Sequence, residues 1–157
     1  MVDIERAAGF GALYLGGNTL GLAKGVIEAN LNLTEMIQAG SDIRTVTDTP
    51  LILDAAAGWG DAMHMHRTVA MTESADFAAI EIEDQVLPKR ADHHIGVEHM
   101  IPQELMAAKT EEAVQARRTD DFLIIGRTNA IRNTGMDDAL RRGEALKNAG
   151  ADLLMLF

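Results

Sequence analysis

Residues 78–94 of the chain read AAIEIEDQVLPKRADHH, a short apolar run that ends in acids and leads into a segment rich in cations and imidazoles. A buried strand of a parallel sheet delivers polar side chains at its carboxyl end in this way. Three other segments repeat the arrangement: residues 11–17 read GALYLGG, 50–54 read PLILD and 122–127 read FLIIGR. We therefore predict that four strand ends meet at one polar edge of a sheet.

Composition narrows the class of protein. The 157 residues, 47% of them hydrophobic, predict one globular domain with a real core. A net charge of -10, without a dense Lys/Arg cluster, argues against a nucleic-acid partner. The absence of cysteine excludes a disulfide framework, a thiolate zinc site and a cysteine nucleophile. No apolar run approaches the roughly 20 residues that span a bilayer, and the first residues lack a signal-peptide pattern. We expect a cytoplasmic protein without a membrane partner.

Strand and helix signals alternate along the chain, and the strands are apolar runs without period-two alternation. This pattern predicts an α/β fold with five visible strands in a parallel sheet, covered by helices on both faces. Two architectures remain open. A doubly wound open sheet suits the length, whereas part of a (β/α)8 barrel, which normally needs about 250 residues, suits polar groups that follow four consecutive strands.

Several local predictions accompany this fold. Residues 16–32 have no clear period and are expected to form a long loop after the first strand. Thr34 is predicted to cap the helix that follows. Pro102 suits the first position of a helix that runs to about residue 118. Thr134 resembles the start of a capping box that opens a helix closed by Gly150.

Acidic residues at two strand ends predict a metal site. Asp54, Glu81, Glu83 and Asp84 supply the oxygen ligands that Mg²⁺ prefers. Alternate side chains of a strand share a face, so Glu81 and Glu83 should point the same way and Asp84 the opposite way. The alternative is that these acids cap the next helix or pair with the cations of the following loop.

Arg127 ends another strand, where a guanidinium can hold a substrate carboxylate by two parallel hydrogen bonds. The alternative is an internal ion pair with Glu83 or Asp54. His93 and His94 lie in a polar loop and are candidates for proton transfer or substrate contact, or else surface histidines without a role.

These motifs together resemble the isocitrate lyase / phosphoenolpyruvate mutase superfamily, in particular its methylisocitrate lyase-like and dimethylmalate lyase-like members. The matching pieces are GFGALYLGG at 9–17, DAAAGWG at 54–60 in place of Asp-Ala-Asp-Thr-Gly-Tyr-Gly, IEDQ at 82–85, PKR at 88–90 followed by His93, and GRTN at 126–129 in place of Ala-Arg-Thr-Asp. The pieces occur in the family's order and run from one end of the chain to the other.

The resemblance implies a (β/α)8 TIM barrel, of which residues 1–157 would form a single incomplete domain covering about strands 2–6 of a longer protein. It also implies a homo-oligomer and a Mg²⁺ ion, with Mn²⁺ as an alternative. Members act on small 2-oxo or 2-hydroxy carboxylates and cleave C–C bonds by way of a pyruvate enolate. Others move or hydrolyse a phosphonate. A non-catalytic carboxylate-binding homologue is the remaining alternative.

Carried over by position, the resemblance implies catalytic roles for Lys89, Arg90, His93 and Arg127, a substrate site formed by Tyr14, Gly16, Gly17, Asp54 and Arg127, and a metal held by Asp54 and Glu83 with Glu81 beside them. Lys89, Arg90 and His93 would lie on a gating loop.

Three positions depart from the family's pattern. The second acid of the aspartate motif is Ala56, the cysteine after Lys-Arg is Ala91, and a loop aspartate falls at Lys24. Lyase members use that cysteine in proton transfer, so His93 or His94 would have to replace it. The departures equally allow a decarboxylase or hydrolase that acts on an oxaloacetate-like substrate.

Overall fold

The computed structural model describes residues 8–90, 92 and 95–157. Its core element is one sheet of parallel strands: β1 Leu13–Leu15, β2 Leu51–Asp54, β3 Ala79–Glu83, β4 Leu123–Thr128 and β5 Leu153–Leu156. The strands lie side by side in chain order. A doubly wound sheet reverses its strand order at a switch point, so that alternative is wrong. The predicted barrel-type arc is confirmed, and it is not closed within the described part of the chain.

Helices connect the strands. They are α1 Gly17–Lys24, α2 Leu33–Arg44, α3 Met65–Ser74, α4 Gln103–Ala116, α5 Ala130–Asn133 and α6 Met136–Asn148, with short 3-10 turns at Glu28–Asn30 and Ala62–His64. None of the helices among the described residues has the length and apolar character needed to cross a membrane.

The segment predicted as a long loop is largely helical. It contains α1 and the turn Glu28–Asn30, and Gly25 ends α1 in the left-handed region with φ of 70°. The prediction failed because helix α1 has only eight residues and contains glycines. A helix this short does not show an amphipathic period in the sequence. A helix here brings the following residues back over the sheet edge.

Two predicted caps are also wrong. The N-cap of α2 is Asn32, whose side chain accepts from the Glu35 backbone N–H while the Glu35 carboxylate accepts from the Asn32 N–H, both at 3.1 Å. This reciprocal pair satisfies two backbone donors, which Thr34 could not do from inside the helix. The N-cap of helix α6 is Gly135, which has no side chain to cap the helix, and the Thr134 hydroxyl donates to Asp138 at 2.5 Å.

Helices cover one face of the sheet. Leu53 and Ile80 pair in register, and Ile80 pairs with Ile124. All three are fully buried and share one hydrophobic cluster with helix residues such as Val69 and Leu146. Burying such side chains stabilises the fold by about 1.5–3 kcal/mol each.

The opposite face carries the polar side chains, so the prediction of helices on both faces is wrong. Register places Asp54 beside Glu81, and Arg127 beside Met155. Met155 is 38% exposed and Leu153 50% exposed. Continuous apolar runs in a sequence do not distinguish a face under helices from the inner face of a barrel, because both are apolar over most of their length.

Candidate active site

Polar side chains from four adjacent strands meet at the carboxyl edge of the sheet. The rim cluster consists of Tyr14 on β1, Asp54 on β2, Glu81 and Glu83 on β3, Arg127 on β4, and Lys89 from the segment after β3. Register explains the meeting, because Asp54 pairs with Glu81 and Glu83 pairs with Arg127. The predicted convergence of strand ends is confirmed.

Arg127 lies between the two glutamates. Its Nη1 donates to Glu81 Oε1 at 3.0 Å, and its Nη2 lies 3.5 Å from Glu83 Oε2. The internal ion pair considered from the sequence is therefore present with Glu83 and extends to Glu81. The guanidinium also lies 4.6 Å from the Phe157 ring centroid, within cation–π range.

Asn129 holds both Arg127 and Glu83. Its Oδ1 accepts from Arg127 Nε at 3.1 Å and Nη2 at 2.9 Å, and its Nδ2 donates to Glu83 Oε2 at 2.9 Å. Arg127 has five N–H donors. Asn129 accepts from two of them and Glu81 from a third, while the Glu83 carboxylate lies 3.5 Å from Nη2. The contact with Glu83 is the longest of the three.

Tyr14 reaches Glu81 from the neighbouring side. Its hydroxyl donates to Glu81 Oε2 at 3.0 Å. Burial, together with the charges of Asp54 and Glu81, raises the pKa of Tyr14 far above its ordinary value, so the phenol keeps its proton. Burial also raises the pKa of Glu81, against the opposing effect of Arg127. Gly16 lies beside the Tyr14 ring, where an added Cβ would come within 3.5 Å of it.

Asp54 is oriented by the backbone on both of its carboxylate oxygens. Oδ2 accepts from the Gly17 N–H at 3.3 Å and Oδ1 from the Ala56 N–H at 2.9 Å. Burial raises the pKa of Asp54, although these two hydrogen bonds oppose the shift. A carboxylate that is fixed in this way and still costly to ionise is suited to a cation.

Lys89 is buried in the rim cluster, and Glu28 joins it there. Lys89 Nζ lies 2.7 Å from Glu28 Oε1 and 3.1 Å from Glu83 Oε1. Burial alone would lower the pKa of Lys89, but Glu83 and Glu28 together raise it. Glu28 was not predicted from the sequence, because its segment was expected to be a loop. The signal that could have identified it is its position as an acid soon after the glycines that follow the first strand.

Asp84 points to the opposite side from Glu81 and Glu83, as the alternation predicts. Its Oδ1 accepts from the Asn129 N–H at 3.0 Å, and its Oδ2 accepts from the Thr128 hydroxyl at 2.6 Å and from Arg142 Nη1 at 3.1 Å. Asp84 is fully buried. It therefore fixes the backbone that carries Arg127 and Asn129, and sequence reasoning missed its partner Arg142.

Arg90 lies apart from the rim cluster. It is exposed and lines another cavity, together with Asp92 and His99. His93 and His94, and the alanine at the family's cysteine position, lie outside the described residues. The catalytic roles of Arg90 and His93 stay predictions.

The rim cluster has an excess of negative charge. Among the described residues it holds the carboxyl groups of Glu28, Asp54, Glu81 and Glu83 against the cations Lys89 and Arg127. No group of three or more acidic, His or Cys side chains of the described residues is arranged to ligate one ion. Mg²⁺ commonly uses one or two carboxylates and retains waters, so the residues fit that ion.

A small cavity adjoins Asp54. Its volume is about 40 Å³, and its lining includes Gly17, Glu28, Asp54, Ala56 and Lys89. A buried water needs about 10–15 Å³, so the cavity has room for water beside Asp54. Ala56, where the family motif has an acid, leaves the cavity with one fewer carboxylate.

The sequence profile described as phosphoenolpyruvate phosphomutase matches residues 2–157. The chain belongs to this family. Among curated relatives, the 2,3-dimethylmalate lyase of Eubacterium barkeri is 39% identical over 156 residues, and the alignment covers 98% of the chain and 51% of that protein. The 2-methylisocitrate lyase of Aeropyrum pernix is 40% identical over 152 residues, or 96% of the chain and 48% of that protein.

Comparison with solved structures agrees with this assignment. A phosphonopyruvate hydrolase in complex with oxalate and Mg²⁺ superposes with a TM-score of 0.90 at 31% identity, covering 99% of this chain and 54% of that one. The phosphoenolpyruvate phosphomutase of Streptomyces platensis subsp. rosaceus gives a TM-score of 0.92 at 29% identity, covering 99% and 55%. The chain thus spans about half the length of the relatives it matches.

Proposed function

We propose that the protein is a Mg²⁺-dependent carbon–carbon lyase that acts on a small 2-hydroxy or 2-oxo di- or tricarboxylate and passes through an enolate-like intermediate. The observation that carries the proposal is the charge of the rim cluster, in which four carboxyl groups face two cations at the carboxyl edge of the sheet. A divalent cation would balance that excess. The named lyase relatives support the reaction class.

Asp54 and Glu83 are the residues that would hold the ion or its waters, with Glu81 beside them. The two backbone hydrogen bonds to Asp54 fix its carboxylate in direction before an ion arrives. Bound there, Mg²⁺ would supply positive charge to the oxygen on which negative charge develops. Mn²⁺ could take the same oxygen ligands.

Arg127 would bind the carboxylate of the substrate. Asn129 holds the edge of its guanidinium that carries Nε and Nη2. A substrate carboxylate would replace the 3.5 Å contact between Nη2 and Glu83 and accept from Nη1 and Nη2 together. Donors that are held in place before the reaction stabilise developing negative charge without reorganising. Tyr14 adds a proton-bearing hydroxyl on the same side, because its pKa is raised.

An assay of the protein for pyruvate release tests the proposal. Purified protein is offered 2-methylisocitrate, 2,3-dimethylmalate and oxaloacetate, each with Mg²⁺ and with EDTA. The proposal expects Mg²⁺-dependent pyruvate from at least one substrate, lost in Arg127→Met. Lys147→Met is the matched control, since Lys147 is exposed on α6 away from the rim cluster and should leave activity unchanged. No pyruvate from any of the three would refute the lyase assignment.

A phosphonate reaction is the second candidate, favoured by the likeness to phosphonopyruvate hydrolase at a TM-score of 0.90. Here water would cleave the C–P bond of phosphonopyruvate and give pyruvate and inorganic phosphate. Phosphate release from phosphonopyruvate, without turnover of the three carboxylates, would select this function.

Calorimetry distinguishes a non-catalytic carboxylate-binding protein from the lyase and from the phosphonate enzyme. Since Ala56 removes one acid from the family's metal motif, this alternative predicts oxalate binding that does not depend on Mg²⁺, with no turnover. Oxalate binding that requires Mg²⁺ favours the enzyme, because the ion and Arg127 would then act on one ligand.

A further inference from the structure

The turn after Asp54 has an unusual backbone. Ala56 and Trp59 have positive φ angles of 47° and 56°, and Gly58 has φ of 78°. Non-glycine residues in the left-handed region cost of order 1 kcal/mol each and persist only where surrounding contacts hold them. The turn therefore needs external contacts to keep its shape.

Three different elements bind three consecutive carbonyl groups of this turn. The Glu83 N–H of β3 donates to Ala56 O at 2.8 Å, and the Thr68 hydroxyl of α3 donates to Gly58 O at 3.1 Å. Between them, the ammonium of Lys109 on α4 donates to Ala57 O. The turn is thus attached to the sheet and to two helices.

Burial makes a charged Lys109 energetically unfavourable in this position. It is 5% exposed, and no carboxylate of the described residues hydrogen-bonds to its ammonium. Burial lowers the pKa of Lys109 to about 8. An ammonium removed from water is costly unless polar groups compensate it. The Ala57 carbonyl accepts its hydrogen bond, and the charges of Asp61 and Glu83 offset part of the effect of burial.

We propose that Lys109 is a positioning residue for the metal ligand Asp54: its ammonium holds the left-handed turn 55–59 in the shape that orients the Asp54 carboxylate. The chain of contacts is short. Lys109 donates to Ala57 O, and the neighbouring Ala56 N–H donates to Asp54 Oδ1 at 2.9 Å. Ala56 O in turn accepts from the Glu83 N–H of β3. Its effect on Mg²⁺ binding rests on the proposed function, whereas its effect on the turn does not.

The chain offers a clean chemical test, because it has no cysteine and a single tryptophan, Trp59, which lies in the turn itself. Lys109→Cys is alkylated in denaturant and refolded in two forms. Bromoethylamine installs an S-aminoethyl group, which restores an ammonium on a chain of the same length. Iodopropane installs an S-propyl group of the same length without charge. Lys147→Cys, at an exposed site on α6, receives both treatments as the control.

Two readouts follow. Acrylamide quenching of Trp59 fluorescence reports the order of the turn, and calorimetry reports Mg²⁺ affinity. We expect the propyl form to show stronger quenching of Trp59 and to bind Mg²⁺ at least about 10-fold more weakly. Loss of a residue that orients a metal ligand typically lowers metal affinity about 10- to 100-fold. The aminoethyl form should match the wild type in both. The two Lys147 forms should not differ.

Equal Trp59 quenching in the propyl and aminoethyl forms would overturn the proposal. Altered quenching with equal Mg²⁺ affinity would overturn the link to Asp54. If wild-type protein binds no Mg²⁺, the metal part of the proposed function fails, while the quenching comparison still decides whether Lys109 orders the turn. If the propyl form does not refold, Lys109→Met, folded during expression, provides the neutral side chain for the same two measurements against the wild type.

Discussion

Replacing Arg142 by methionine should destabilise the protein far more than replacing an exposed arginine of the same helix. Arg142 Nη1 lies 3.1 Å from Asp84 Oδ2, and Asp84 is 0% exposed. Among the described residues, the replacement leaves the buried Asp84 charge with the Thr128 hydroxyl and the Asn129 N–H as its side-chain partners. Because Asp84 fixes the backbone beside Arg127, oxalate binding should weaken as well.

The magnitude follows from the contact distance. At 3.1 Å two unit charges attract by about 5 kcal/mol at an effective dielectric constant of about 20. Part of this offsets the cost of removing both groups from water, and breaking one partner of a buried pair typically costs about 3–5 kcal/mol. For a chain of this size each kcal/mol lowers the unfolding midpoint by about 2–4 °C, so we expect a fall of roughly 6–20 °C.

Urea and thermal unfolding, followed by circular dichroism, measure the effect. Arg141→Met is the matched control: the neighbouring Arg141 side chain is 69% exposed and pairs with Asp138, so its loss should cost less than about 1 kcal/mol. In a double-mutant cycle, Asp84→Asn should recover about 1–3 kcal/mol of the Arg142→Met loss by removing the stranded charge. A loss below about 1 kcal/mol for Arg142→Met, or a purely additive double variant, would refute the reasoning.

Three further predictions concern the rim cluster. Asp54→Asn should abolish Mg²⁺ binding in calorimetry. Because burial raises the pKa of Asp54, the wild type should lose stability relative to this variant as pH rises from about 3.9 towards 7, on top of the constant loss of one backbone hydrogen bond in the variant. A stability difference that does not change with pH would contradict this. Arg127→Lys should weaken oxalate binding about 100-fold, since an ammonium cannot keep both Asn129 contacts and two parallel donors; affinity within a few-fold of wild type would place the carboxylate elsewhere. Lys89→Met should lower the free energy of unfolding by about 3 kcal/mol, because Glu83 loses its ion pair with the ammonium. In a thermal shift assay Mg²⁺ should stabilise this variant more than the wild type. Equal Mg²⁺ shifts would show that Lys89 does not act at the ion site.

Much of the site was predictable because strand ends are local signals. Asp54, Glu81, Glu83 and Arg127 each follow an apolar run, and parallel strands bring their carboxyl ends to one edge whatever the connecting segments do. Family motifs added Lys89 and Tyr14. Glu28 and Lys109 could not be found in this way, because one lies in a segment without a readable period and the other is a lysine on a helix, where exposure is the ordinary expectation.

Hydrophobic runs and side-chain alternation were enough to predict a parallel sheet, the order of its strands along the chain, and the acids and guanidinium at its polar edge. The pairing of the charges, in contrast, could be read only from the three-dimensional structure. Arg127 lies between Glu81 and Glu83, and Lys89 reaches Glu28 across 61 positions of the chain. Pairing depends on distances between elements that are remote in sequence, and those distances are set by register and helix packing rather than by any local pattern.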